Sequence, residues 1–286
     1  MLDLSRREVQ DYIIKAVDRI LCEAPVTYLK WDMNRNITEW YSGELMADRQ
    51  KELGHRYVLG LYRVLEHITK AHPQVLFEGC AGGGGRFDPG MLYYMPQIWT
   101  SDDTDGIERL SIQYGNSLIY PSIAMTAHVS ACPNHMTGRN TPLSQRAVTA
   151  MAGNLGYELD LNRLSTEEQE KIKEQISFYK QYREVIQKGK QYRLMEKENQ
   201  RAWMYVSEDG AQAVVSFVQV LNHANTVPKR LKLEGLDTEA YYEVRRVCPE
   251  DGDPVIRRGQ ALIQIGLALD RPDGDFYGEQ WVVRRV

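Results

Sequence analysis

Apolar positions early in the chain recur at helical spacing: Val9, Tyr12, Ile13, Ala16, Val17 and Ile20. Ser5 and Glu8 stand at capping-box spacing just before them, which sets the expected helix start. After Pro25 the run Val26–Trp31 reads as a strand. A second amphipathic helix carries Tyr57, Leu61, Val64, Leu65 and Ile68 on one face. Val75–Phe77 is a strand running into a glycine-rich turn, and Gln97–Ser101 is a third, followed by a helix from about Asp105. Ser122–Val129 and Gly156–Leu161 read as strands flanking a helix over Ser144–Leu155. A long helix begins at Ser165, with Glu168 as its capping-box partner, and carries Ile172, Ile176, Tyr179 and Ile186. Strands alternating with helices predict βαβ units and a parallel sheet.

After Gly189 the pattern changes. Arg201–Ser207, Ala211–Leu221, Lys229–Leu233, Ala240–Val247, Ala261–Leu267 and Gln280–Val286 read as strands separated by turn residues, with no helix among them. The expected organisation is an α/β region over 1–189 and an antiparallel β-sandwich domain over 190–286.

Composition narrows the function classes. The 286 residues are 43% hydrophobic and 26% charged, with 35 Lys and Arg against 39 Asp and Glu, a net charge of -4. That balance argues against a nucleic-acid partner, which needs a basic surplus. No stretch approaches the roughly 20 apolar residues of a membrane span, and the charged opening Met1–Glu8 does not read as a secretory signal. Four widely spaced cysteines, Cys22, Cys80, Cys132 and Cys248, do not form a disulfide framework and fit a reducing cytoplasm. An enzyme or a binding domain remains.

Three segments carry candidate chemistry. In Lys30-Trp31-Asp32-Met33-Asn34-Arg35, strand alternation puts Tyr28, Lys30 and Asp32 on one face and Leu29 and Trp31 on the other. Charges at the C-terminal end of a parallel strand are where β/α folds build sites; the competing reading is a structural ion pair. Glu78 to Asp88 holds a glycine run that lacks the Gly-Lys-Ser/Thr ending of a phosphate loop, and alone it reads as a tight turn. In Trp99 to Asp105, Asp105 with Glu108 fits a helix cap and Asp103 the same turn, whereas Asp102 sits at a strand end as Asp32 does. Two carboxylates at the ends of separate parallel strands suit glycoside hydrolysis. Trp31, Trp99 and Tyr93 are candidate sugar-stacking rings, with helix packing favoured for Trp31. Cys132-Pro133-Asn134-His135 lacks the further ligands a zinc site needs, so no metal or cofactor is expected; His135 and Arg139 are candidates for a polar site mouth.

Taken together, these motifs, with Pro133 to Arg139, resemble bacterial α-galactosidases of glycoside hydrolase family 36 over nearly the whole chain. The resemblance implies a retaining α-galactosidase acting on oligosaccharides such as raffinose or melibiose. Asp32 would be the nucleophile and Asp102 the acid/base. Lys30, Trp31, Met33, Asn34, Cys80 and Gly83 would bind the galactose-containing oligosaccharide, in a homo-oligomeric enzyme. The family also implies an N-terminal β domain and a complete (β/α)8 TIM barrel. Five barrel strands are legible here, about strands 4–8, which gives the expectation of a partial barrel and of low or no activity for this chain alone. The alternatives are a non-catalytic carbohydrate-binding or assembly fragment, and a same-family α-N-acetylgalactosaminidase or galactosyl transferase.

Overall fold

The computed structural model describes residues 2–34, 38, 40–197, 199–225, 229–248, 252–269 and 274–286. Arg35 of the first motif lies outside them. The chain divides into two compact units, Met1–Asp102 and Asp103–Val286.

The first unit contains α1 (Arg7–Glu23), β1 (Tyr28–Asp32), α2 (Leu53–Ala71), β2 (Leu76–Cys80), α3 (Pro89–Tyr94) and β3 (Gln97–Trp99). The β1–β2 and β2–β3 pairs are both parallel. Alternation along the strands sends Leu29, Trp31, Phe77 and Ile98 into one apolar layer with Leu61, Val64, Leu65 and Ile68 of α2 and Ile14 and Leu21 of α1. Leu65 is fully buried there, so truncating it to Ala should cost about 2–5 kcal/mol. The opposite face presents Tyr28, Lys30, Asp32, Glu78, Cys80, Gln97 and Trp99. Two local expectations are corrected. The Ser5–Glu8 capping box does not form, because the Ser5 hydroxyl donates to Asp3 Oδ1 at 2.6 Å and Arg6 becomes the N-cap residue. The short α3 was not anticipated; Asp88 caps it by accepting from the Met91 amide at 3.0 Å, with Pro89 in its first turn.

The second unit opens with α4 (Glu108–Ser117), β4 (Met125–Ser130), α5 (Leu143–Ala150), β5 (Asn154–Glu158) and α6 (Thr166–Lys188). β4 and β5 are parallel, so five strands among the described residues have parallel pairing. The Ser165–Glu168 capping box is formed in both directions. There follow β6 (Lys190–Lys197), β7 (Gln200–Val206), β8 (Gln212–Gln219), β9 (Lys229–Leu231), β10 (Tyr241–Cys248), β11 (Val255–Arg258), α7 (Gly259–Gln264), β12 (Leu267–Leu269) and β13 (Tyr277–Arg285). Six of these strands form an antiparallel sheet in the order β11-β10-β13-β8-β7-β6, and β9 pairs with β12.

The six-stranded sheet is covered on both faces. Met204, Val215, Phe217, Trp281 and Val283 face Leu231, Leu262 and Leu267, whereas Tyr205, Val214 and Val282 face Ala147 of α5 and Tyr179, Tyr182 and Ile186 of α6. This is why β8 reads as a continuous apolar run rather than an alternating one. The helix α7 corrects the expected strand over Ala261–Leu267: the run Ala261-Leu262-Ile263 is too short for its period to separate helix from strand.

Candidate active site

Parallel pairing places the site residues in levels across neighbouring strands. Lys30 is opposite Glu78, and Asp32 is opposite Cys80. Asp32 ends β1 and is exposed, as is Asp102, which follows β3 after Thr100 and Ser101.

The glycine run joins the two carboxylate-bearing segments. Asn34 Nδ2 donates to Asp32 Oδ2 at 2.7 Å, and its Oδ1 accepts from the Gly82 amide at 2.7 Å. The Met33 amide donates to the Cys80 carbonyl at 2.9 Å. On the other side, the Gly84 amide donates to the Thr100 carbonyl at 3.0 Å, and Gly83 lies against the backbone of Ser101 and Asp102. Gly83 has φ of +75°, and a Cβ there would come within 2.5 Å of Ser101 Cα. Only glycine meets both demands, so the turn is built for close backbone approach.

Cys80 is 7% exposed. Burial pushes its thiol above the ordinary value and outweighs the opposing Gly83 backbone hydrogen bond, while a smaller contribution from the hydrogen bond with Asp32 adds to the rise. The protonated thiol therefore serves as a donor beside Asp32. Lys30 Nζ stands 3.6 Å from Glu78 Oε1 and 4.8 Å from the centroid of the Trp99 ring. Trp99 is only 3% exposed and underlies Lys30.

The sequence-derived residues thus separate into groups. Lys30, Asp32, Asn34, Cys80 and Gly83 come together, with Gly83 abutting Asp102. Trp31 and Met33 pack against the helical apolar layer. They also line, with Asp32, Asn34, Tyr57 and Arg86, a cleft of about 340 Å³ beside β1. Tyr93 is edge-on to Tyr94 at 4.9 Å, and Tyr94 in turn contacts Tyr62 of α2 at 5.5 Å, which puts it with the helices. Glu78, 1% exposed, received no role from sequence, where it opened the glycine segment after Val75–Phe77; the structure puts it inside β2, opposite Lys30.

Within the second unit, Arg139 forms ion pairs with Asp105 and, at 3.2 Å, Glu108. Asp105 also accepts from the Ile107 and Glu108 amides at 2.8 and 3.2 Å, so the pair fastens the start of α4. Asn134 is buried and donates to Thr104 Oγ1 at 3.0 Å, whereas His135 is exposed. Among the described residues no cluster of three His, Cys, Asp or Glu is arranged to hold a metal ion, and no helix is long and apolar enough to cross a membrane.

Residues 1–189 match the Melibiase family model, and residues 200–283 match that of the glycosyl hydrolase family 36 C-terminal domain. The chain is 49% identical over 288 residues to alpha-galactosidase AgaA of Geobacillus stearothermophilus, covering 100% of this chain and 38% of that protein. It is 50% identical over 287 residues to alpha-galactosidase Mel36A of Lactobacillus acidophilus, again covering 38% of the relative. The crystal structure of an AgaA variant in complex with raffinose superposes with a TM-score of 0.94 at 48% identity, over 99% of this chain and 39% of that one. The chain therefore spans well under half the length of the relatives it matches.

Proposed function

The chain belongs to the Melibiase family of glycoside hydrolases, with a family 36 C-terminal domain, and from that premise we propose that it carries the catalytic pair of a retaining α-galactosidase. The observation that carries the reading is the glycine turn, which ties the Asp32 segment through Asn34 and Gly82 to the Asp102 segment through Gly83. Two carboxylates held on neighbouring strand ends suit a double displacement.

In the first step the Asp32 carboxylate attacks the anomeric carbon as the bond to the leaving oxygen breaks. The Asp102 carboxyl gives that oxygen its proton. In the second step Asp102, now a carboxylate, takes a proton from water. The resulting hydroxide equivalent attacks the anomeric carbon, the bond to Asp32 breaks, and galactose leaves with retained configuration. Lys30, Asn34, Cys80 and the Gly83 backbone bind the sugar hydroxyls. Trp31 and Met33 line the cleft beside Asp32 and contact the rest of the oligosaccharide. The substrate is a terminal α-linked galactoside such as raffinose, the sugar in the relative's crystal structure.

The wider proposal is a cytoplasmic, homo-oligomeric enzyme that binds neither nucleic acid nor membrane, with a barrel region to about Gly189 and a β-sandwich domain beyond it. Hydrolysis of an aryl α-galactoside tests the assignment: Asp32→Ala should abolish turnover, and a variant that keeps full turnover overturns it. The chain's 38% coverage of its relatives favours one second reading, a carbohydrate-binding piece with low turnover of its own. Galactose binding by calorimetry without hydrolysis supports that reading, and turnover at the relatives' rates excludes it.

A further inference from the structure

The exposed end of Lys30 rests on a buried polar network that the proposed reaction does not itself use. Glu78 sits on the next strand at the same level, 1% exposed, with its Oε1 3.6 Å from Lys30 Nζ. Its other oxygen accepts from the Tyr28 hydroxyl and, at 3.2 Å, from Gln97 Nε2. Gln97 is opposite Glu78 in the β2–β3 register and also donates to Tyr28 Oη at 2.8 Å. The network therefore crosses three strands one level below Asp32 and Cys80.

We infer that Glu78 is a positioning residue for Lys30, holding its ammonium against the Trp99 ring so that its N–H groups point toward the galactose hydroxyls. Three physical points support this. A buried carboxylate paired with a lysine whose end is exposed is weak stabilisation, because water screens the lysine and an apolar residue of similar volume commonly serves a core as well as the acid does. A lysine on four flexible carbons needs an anchor before it can bind in one geometry. At 3.6 Å the pair attracts without a close hydrogen bond, so the ammonium keeps its donors for ligand oxygens. The Trp99 face, 4.8 Å from Nζ, supplies the second restraint.

The inference rests on the reading of Lys30 as a sugar contact, and its test separates the two. Glu78→Gln keeps the shape of the side chain and removes the charge. Labelling of Lys30 by an amine-reactive reagent, mapped by mass spectrometry on the intact chain, should become several-fold faster. With an aryl α-galactoside, KM should rise about tenfold while kcat stays within a few-fold, because a sugar contact present in both ground and transition state is lost. Unchanged Lys30 labelling overturns the inference, as does a fall in kcat at constant KM. Turnover that survives Asp32→Ala defeats the proposed function, and in a chain without turnover Lys30 labelling alone decides the role of Glu78. If Glu78→Gln does not fold, Tyr28→Phe removes one donor to Glu78 and keeps the carboxylate. It should also quicken Lys30 labelling, and an unchanged rate counts against the network.

Discussion

Gly83 lies so close to Ser101 that a Cβ on it would stand 2.5 Å from the Ser101 Cα, and 3.0 Å from the Asp102 amide nitrogen. The turn after β2 thereby sets the position of the residue that ends the neighbouring segment. Gly83→Ala must both hold a left-handed backbone, worth about 1–2 kcal/mol, and push the Asp102 backbone away. The expected outcome is a lower melting temperature together with a loss of turnover beyond what the stability change explains. A Gly83→Ala chain with native stability and activity would show that the turn does not set Asp102.

Cys80 should react slowly with thiol reagents. Burial raises its thiol, and the hydrogen bond to Asp32 adds to this, so the reactive thiolate is scarce at neutral pH. Cys22 and Cys132 are exposed. Iodoacetamide at pH 8, followed by peptide mass mapping, should label those two well before Cys80. In Asp32→Asn the thiol loses its charged partner and Cys80 labelling should speed up. Equal rates at the three sites contradict the burial.

The Asp105–Arg139 pair predicts a specific acid sensitivity. Burial raises the Asp105 carboxyl, but hydrogen bonds from Thr137, from the Ile107 and Glu108 amides and from Arg139 outweigh it. The net result lies below the ordinary 3.8. A carboxylate lowered in the folded state contributes stability that is complete above its unfolded value and is lost as pH falls through its folded value. The contribution should therefore be intact at pH 5 and disappear below about 3.8. Asp105→Asn should lower stability at neutral pH and flatten the loss of stability below that point, measured by urea unfolding across pH. An unchanged acid slope would contradict the pairing.

What the sequence revealed and what it hid divide along local and non-local physics. The Ser165–Glu168 box and the strand end by Asp32 were legible because neighbouring residues decide them, whereas the strand read over Val75–Phe77 runs on to Cys80. Ser5 and Glu8 had the same capping spacing, but Asp3 took the Ser5 hydroxyl first. The helix over Gly259–Gln264 was hidden because a three-residue apolar run carries no usable period. The acids and glycines of the site were readable as residue types, whereas the link from Asn34 to Gly82 and from Gly83 to Ser101 depends on parallel register. Glu78 was invisible for the same reason: in sequence it opens the glycine segment as a stray acid, and only β1 supplies its lysine. Arg139 looked like part of a site mouth, yet Asp105, 34 residues earlier, claims its charge.

The central claim is that Asp32 is the nucleophile of a retaining pair completed by Asp102. Incubation with a slow fluorinated α-galactoside that accumulates the glycosyl-enzyme, followed by digestion and peptide mass spectrometry, tests it most directly. The account predicts one galactosyl ester, on the peptide containing Asp32, which persists in Asp102→Ala and is absent in Asp32→Ala. An ester on another carboxylate, or hydrolysis by the chain with no covalent intermediate on Asp32, would contradict it.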